Sequence, residues 1–370
     1  QTFKGSLTAS EATDCISEAV LDIFPNSEIV KLPIADGGDG TLETLVESHK
    51  GKFIQSEILD PLGNNVIAEW GLIGDVAIIE MARSSGLALI DPKKLDPMNS
   101  TSFGTGQLIL EALNHNVRKI ILGIGGSATN DCGVGVAKAL GIKFLKDDGS
   151  EVSNNVEDFI NIKTISMESV NSKITDIDIE VACDVTNTLC GKEGASYIYG
   201  PQKGASRHQI EILDNNLMHL SNVIKNDIGK DVLNLEGGGA AGGMGAGMVA
   251  FFSATLRPGV DIIFDTLDVE EKIAGANLII TGEGQFDISS TYNKAPTAIA
   301  KLGMKRNIPS IGISGSFGEG FEKLDEYGIV SKSTLINKIS DLETNIKEAK
   351  HLLKIAAKEQ LKAIKIGMNL

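Results

Sequence analysis

Apolar residues recur along this chain in two alternating modes. Short β-branched runs, from Ile29 to Ile34, Lys119 to Ile124, Ile177 to Cys183, Leu278 to Ile280 and Ser310 to Ile313, read as strands, and the longer stretches of three-and-four spacing between them read as helices. That alternation predicts an α/β protein with a largely parallel sheet. The first helix is the clearest: Ala12, Cys15, Ile16, Ala19, Val20, Ile23 and Phe24 repeat at helical spacing between a Thr8-x-x-Glu11 capping box and Pro25. It places Phe3-Lys4-Gly5-Ser6 at a helix N-terminus, where the partial positive charge and the Lys4 ammonium would favour an anion. At the other end, Leu342, Ile346, Ala349, Leu352, Leu353, Ala356 and Leu361 mark a long amphipathic packing helix.

Each predicted strand runs into a polar turn, in most cases with glycine. The turns are Ala35 to Thr41, Gly123 to Asp131, Asp184 to Asn187, Thr281 to Asp287, and Ser314-Gly315-Ser316. Thr101-Ser102-Phe103-Gly104-Thr105-Gly106 adds another before a helix that begins near Gln107. Ligands of open α/β sheets bind at the carboxyl ends of strands, so these turns are expected to line one crevice.

The turn after Ile120-Ile121-Leu122 is the most informative. Gly123, Gly125 and Gly126 let backbone N–H groups approach an anion, Ser127 and Thr129 add hydroxyls, and Asp131 offers a ligand for a cation held against that anion. Phosphate chemistry follows as the first expectation. Glycines after strands also serve turn geometry alone. Asp36 and Asp39 read either as caps of the helix through Leu42 and Leu45 or as metal ligands. Asp184 and Glu283 follow apolar strands, where an unpartnered carboxylate is costly, so chemistry outweighs structure there. Lys203, in Gly200-Pro201-Gln202-Lys203-Gly204-Ala205, reads as solvated when taken singly, while Lys294 gains weight from Pro296, which suits the first turn of a helix. The segment Gly237 to Gly247 is too rich in small residues for an ordinary helix and implies close backbone approach, to a ligand or to another helix.

Composition narrows the classes. The chain has 370 residues, 42% of them hydrophobic, enough for about two domains. A net charge of −15 disfavours nucleic acid and anionic membrane surfaces as partners. No run approaches the length of a membrane span, and Gln1-Thr2-Phe3-Lys4 has no apolar leader character. The 4 cysteines lack C-x-x-C spacing and the 5 histidines lack metal-ligand spacing, so a cytoplasmic protein with reduced thiols and without zinc is expected.

There is no G-x-x-x-x-G-K-[ST], which excludes a P-loop kinase. Gly123-x-Gly125-x-x-Ala128 follows a strand, with Asp147 and Asp148 roughly 20 residues on, in the manner of a dinucleotide fingerprint. Thr129-Asn130-Asp131, however, sets polar residues where that fold starts an apolar helix.

Taken together, Phe3-Lys4-Gly5-Ser6, Ala35-Asp36-Gly37-Gly38-x-Gly40-Thr41, Thr101-Ser102-x-Gly104-Thr105-Gly106, Gly123 to Asp131, Ala182-Cys183-Asp184-Val185, Gly194-Ala195-Ser196, Gly200 to Ala205, Ala240-Ala241-Gly242-Gly243 and Thr281-Gly282-Glu283-Gly284 resemble, in order, the bacterial glycerate kinase family. The likeness runs from Phe3 to about Gly315. It departs in four places: Gln1-Thr2 stand where the family carries a strand and an Asp-Ser pair, Cys132 and Asn293 replace glycines, and Thr188 replaces a proline.

The resemblance implies two unlike α/β domains unrelated to the P-loop kinases. One is Rossmann/flavodoxin-like and discontinuous, residues 1–65 plus 285–370; the other, 66–284, is inserted, with the active site in the cleft. It also implies transfer of the ATP γ-phosphoryl group to D-glycerate with Mg²⁺, toward 2-phosphoglycerate rather than 3-phosphoglycerate. Phosphoryl transfer needs positioning and positive charge more than covalent help. On that basis Asp184, Glu283, Asp36 and Asp131 are candidates for Mg²⁺ ligation or for orienting the hydroxyl, and Lys4 and Lys294 for steadying phosphates or the glycerate carboxylate. Ser6, Gly125, Gly126, Ser127, Thr129, Asn130, Lys203, Gly282 and Gly284 are candidates for substrate or nucleotide binding, and Gly239 to Gly243 for backbone donors to phosphate. Two rival readings are an NAD-dependent oxidoreductase of hydroxy acids, built on the Gly123 to Ala128 turn, and a non-catalytic binding protein of the same fold.

Overall fold

The Thr8-x-x-Glu11 box forms as its sequence requires: in a computed structural model that describes residues 1–3, 5–35 and 40–368, Thr8 Oγ1 accepts from Glu11 N at 3.2 Å while Thr8 N donates to Glu11 Oε2 at 3.0 Å. The helix it starts, α1 (Ala9–Ile23), belongs to one of two compact units, residues 1–36 with 263–370; residues 37–262 form the other.

The second unit begins with α2 (Thr41–Ser48), β1 (Lys52–Leu59), β2 (Asn65–Ile73), β3 (Val76–Glu80), α3 (Ala82–Ser85), α4 (Phe103–Leu113), β4 (Lys119–Gly123) and α5 (Val134–Ala139). It continues through β5 (Lys143–Leu145), β6 (Thr164–Ser166), β7 (Asp178–Ala182), α6 (Ala195–Tyr199), α7 (Arg207–Asp227), α8 (Ala240–Phe252) and β8 (Thr255–Arg257). Its main sheet runs β1-β2-β3-β4-β7-β8, antiparallel through the β1–β2–β3 meander and parallel from β3 onward. Ile78, Ile79, Ile120, Ile121, Leu122, Ile179 and Val181 are all buried, which accounts for the near-continuous apolar runs that mark these strands in the sequence. Each such side chain taken fully out of water is worth about 1.5–3 kcal/mol. A second apolar cluster gathers Phe144, Phe159, Leu213, Leu217 and Phe251 beside the small β5–β6 sheet.

After α9 (Gly259–Thr266) and α10 (Val269–Lys272), the first unit is completed by β9 (Ile279–Phe286), α11 (Ala295–Lys305), β10 (Ser310–Phe317), β11 (Ile329–Thr334) and α12 (Leu342–Gly367). The sheet β11-β10-β9 is parallel throughout. α1 and α12 join its core through Ala12, Cys15, Ala19, Leu352, Leu353, Ala357 and Leu361, packed with Phe3 and Ile313. The whole is α/β with a largely parallel main sheet.

Several expectations need correction. Residues 29–35 form no strand: Val30 is 52% exposed, Pro33 has no N–H to donate, and only Ile34 and Ala35 are buried. The turns expected at Thr281 to Asp287 and Ser314 to Ser316 are largely strand, because Glu283 pairs with Ser314 and Gln285 with Ser316. Helix α4 starts at Phe103, four residues before Gln107. The unit borders differ from 65/66 and 284/285, since β1 and β2 pair from Leu59↔Asn65 and β9 runs through Gln285. All cysteines are free, and among the described residues no helix is long and apolar enough to cross a membrane.

Candidate active site

The register Glu80↔Gly123↔Ala182 across the parallel strands brings the Gly123 loop and Asp184 out at the carboxyl ends of adjacent central strands of the main sheet. The loop is exposed only at Gly125 and Gly126; Ser127, Thr129, Asn130 and Asp131 are buried. One side is held by residues 85–87, where Ala128 N donates to Ser85 O at 2.9 Å and Leu87 N to Gly126 O at 2.8 Å. Behind it, Asn130 Nδ2 donates to Ser196 Oγ in α6 at 3.1 Å. The polar atoms Thr129 Oγ1 and Asn130 Oδ1 are buried with no hydrogen-bond partner.

Asp131 is an anchor. Its Oδ2 accepts from Ser102 N and Ser102 Oγ, each at 2.8 Å, and from Gly135 N at 3.2 Å, while Oδ1 accepts from Gly133 N at 3.2 Å. A carboxylate so fully supplied with donors ties the loop to the starts of α4 and α5, and a metal would have to displace those donors. Cys132, which follows, has φ +51. This left-handed backbone favours glycine, the residue that the resemblance leads one to expect there.

Lys203 corrects the solvated reading. It is 1% exposed, and Nζ donates to Ser127 Oγ at 2.8 Å and to Thr129 O at 2.6 Å. Burial pushes its pKa down to about 7, partly offset by the Asp131 charge. The glycine-rich stretch is also resolved in kind. Ala241, Gly242 and Gly243 have φ of 54°, 73° and 90°, and a Cβ on Gly242 would lie 2.1 Å from Thr129 O. Cys132 N donates to Gly242 O at 3.0 Å, and Gly239 N to Asn187 O at 2.9 Å. The close approach at Gly242 is to the backbone of the Gly123 to Asp131 loop, and at Gly239 to that of Asn187 and Thr188. The dinucleotide fingerprint fails for a related reason: Ala128 pairs with Ser85, and the next helix starts only at Val134. Asp184 is exposed and its Oδ1 accepts from Gly259 N at 2.9 Å.

The first unit holds a separate cluster on β9. Glu283 is 5% exposed; its Oε1 accepts a short hydrogen bond from Ser290 Oγ, and its Oε2 lies 3.9 Å from Lys294 Nζ. Burial raises the Glu283 pKa above its ordinary value, opposed by the Ser290 hydrogen bond and the Lys294 charge. Lys294 stands at the N-cap of α11, with Pro296 in the first turn as its sequence predicts, and donates to Ser289 Oγ at 2.8 Å. Asp287 completes the frame by accepting from Ser289 N at 2.8 Å and donating its own N–H to Ser290 Oγ at 3.2 Å. Gly282 is required by packing, since a Cβ there would meet Ile313 O at 2.2 Å, whereas Gly284 is partly buried in the same strand. Ser289 and Ser290 escaped the sequence reading, and Asp287 entered it only as the end of a turn, although Asp287-x-x-Ser290 is itself a capping pattern.

Ser6 lies in a tight turn, its N and Oγ both donating to Phe3 O at 2.8 and 2.9 Å, and Thr8 and Glu11 already cap the helix start there. Lys4 and Asp36 lie outside the described residues, as do Gly37, Gly38 and Asp39. Among the described residues no group of three His, Cys, Asp or Glu side chains is arranged to hold a metal.

Known proteins resemble this chain along nearly its whole length. Residues 1–365 match the profile of the glycerate kinase family. The glycerate kinase of Halalkalibacterium halodurans is 41% identical over 96% of this chain and 94% of its own, and the glycerate 2-kinase of Escherichia coli is 41% identical over 99% and 97%. A solved structure described as a glycerate kinase 2 from Salmonella typhimurium superposes with a TM-score of 0.92 at 41% identity, covering 100% of this chain and 97% of that one. The chain thus belongs to the glycerate kinase family.

Proposed function

We propose that this protein transfers the γ-phosphoryl group of ATP to the 2-hydroxyl of D-glycerate, giving ADP and 2-phosphoglycerate. The observation that carries the reading is family membership together with 41% identity, over nearly the full length, to an Escherichia coli relative named glycerate 2-kinase. In the reaction the substrate hydroxyl oxygen forms a bond to the γ-phosphorus, the bond from that phosphorus to the β-bridging oxygen breaks, and the hydroxyl proton passes to a base.

Glu283 suits the base. Its buried carboxylate has a raised pKa, which brings proton affinity closer to what a hydroxyl demands, and Ser290 fixes one oxygen. Lys294 suits an anion contact, because its ammonium is partly exposed at the start of an eleven-residue helix. The exposed Gly125-Gly126 turn suits a phosphate or carboxylate group approached by backbone. Mg²⁺ arriving with nucleotide phosphates needs only one or two protein carboxylates. Asp184, exposed beyond the end of β7, suits that requirement. Bound there, the ion would neutralise charge on the phosphates.

The test is ADP release from Mg-ATP and D-glycerate, with the product offered to enolase in the absence of phosphoglycerate mutase. Immediate enolase turnover is expected. Release without turnover would move the product to 3-phosphoglycerate, and no release would overturn the reading.

A further inference from the structure

Lys203 has no part in the reaction as set out above, yet its placement is expensive. An unpaired ammonium removed from water costs several kcal/mol, whereas a methionine of similar length would fill the same space without that cost. Among the described residues no carboxylate pairs with it, and Asp131 on the same loop directs its oxygens to Ser102, Gly133 and Gly135 instead. What Lys203 does touch is the loop itself, at Ser127 Oγ and Thr129 O, on either side of Ala128. On the same loop, Thr129 Oγ1 and Asn130 Oδ1 are fully buried and lack partners. The loop is therefore clamped between an acid on one side and a cation on the other, with only the Gly125-Gly126 tip in solvent.

We propose that Lys203 is a positioning residue, whose buried amino group donates to Ser127 and the Thr129 carbonyl and so holds the Gly125-Gly126 turn in the shape that receives a substrate oxyanion. The oxyanion is a nucleotide phosphate or the glycerate carboxylate. The inference rests on the kinase reading above and adds to it a residue that acts through the loop without touching substrate.

The experiment compares full-length wild type, Lys203→Met and Ser127→Ala in steady-state assays with ATP and D-glycerate, alongside thermal unfolding. Lys203→Met is expected to leave the unfolding temperature close to that of wild type, because the desolvated charge it removes offsets the two acceptors it leaves unmet, and to raise one KM by about tenfold or more with a smaller change in kcat. A rise in KM for ATP assigns the loop to phosphate, and a rise in KM for glycerate assigns it to carboxylate. Ser127→Ala removes one acceptor of the ammonium at little cost in volume, and shifts the same KM in the same direction by less. It carries the test should Lys203→Met not fold. Folded variants with both KM values within about twofold of wild type would overturn the role, since a charge-assisted contact is worth more than that. An inactive wild type would overturn the kinase reading, and this inference with it.

Discussion

Asp131 and Glu283 look alike in the sequence, each an acid set among glycines after an apolar run, and both are buried, at 2% and 5% exposure. Their surroundings differ. Asp131 receives backbone and hydroxyl donors on both oxygens and works as a brace between loop and helix starts. Glu283 has one hydroxyl and a lysine 3.9 Å away, so burial wins and its proton affinity rises. The pair teaches that a buried carboxylate is structural when the backbone satisfies it and chemically poised when side chains only partly do.

The largest effect should come from Glu283→Gln, which keeps shape and burial but removes the proposed base. Turnover should fall by about 10²–10⁴-fold with little change in the unfolding temperature. A loss of under about threefold would strip Glu283 of that role. Wild-type kcat/KM should also fall as pH drops, and because the Glu283 pKa is raised, the acid limb should lie above the ordinary 4.5. The pH–rate profile checks this, and the limb should be missing from the residual activity of Glu283→Gln. Asp131→Ala should do the reverse, costing about 3–5 kcal/mol of stability by urea unfolding, because it leaves buried donors of Ser102, Gly133 and Gly135 unmet. Stability within about 1 kcal/mol of wild type would break the contrast.

The smallest effect concerns the left-handed residues beside the two clusters. Asn293, next to Lys294, has φ +55, as Cys132 does next to Asp131 at φ +51. Asn293→Gly should change stability by no more than about 1 kcal/mol in thermal melts, since asparagine tolerates this region and glycine adds unfolded-state entropy. Cys132→Gly should destabilise despite the easier backbone, because the Cys132 side chain is completely buried.

Much of the framework was legible because local chemistry determined it. Thr8 and Glu11 set the start of α1, Pro296 that of α11, and the Ile120 to Leu122 and Ile179 to Val181 runs announced central parallel strands. Ile29 to Ile34 has the same local look but found no ladder partner, a fact that strand propensity does not carry. In the candidate site, the Gly123 to Asp131 loop and Glu283 were legible as polar residues after apolar runs, and Lys294 through the helix start that Pro296 marks; that Glu283 and Lys294 stand together was not. The burial of Lys203 was not, because a lysine between proline and glycine resembles any surface turn until a loop 74 residues away in sequence closes over it. The bracing of Asp131 was hidden for the converse reason: three of its four donors are backbone N–H groups of Ser102, Gly133 and Gly135, which no residue code reveals.

The chain returns to its first unit only after the second is complete, and α1 packs on α12, with Lys354 bridging to Glu18 and Lys365 donating to Ile23 O. During synthesis at about 5–20 residues per second, the apolar face of α1 must therefore wait on the order of tens of seconds for the helix that covers it. Cys15, Ala19 and their neighbours are exposed to chaperones, or to other nascent chains, throughout that interval.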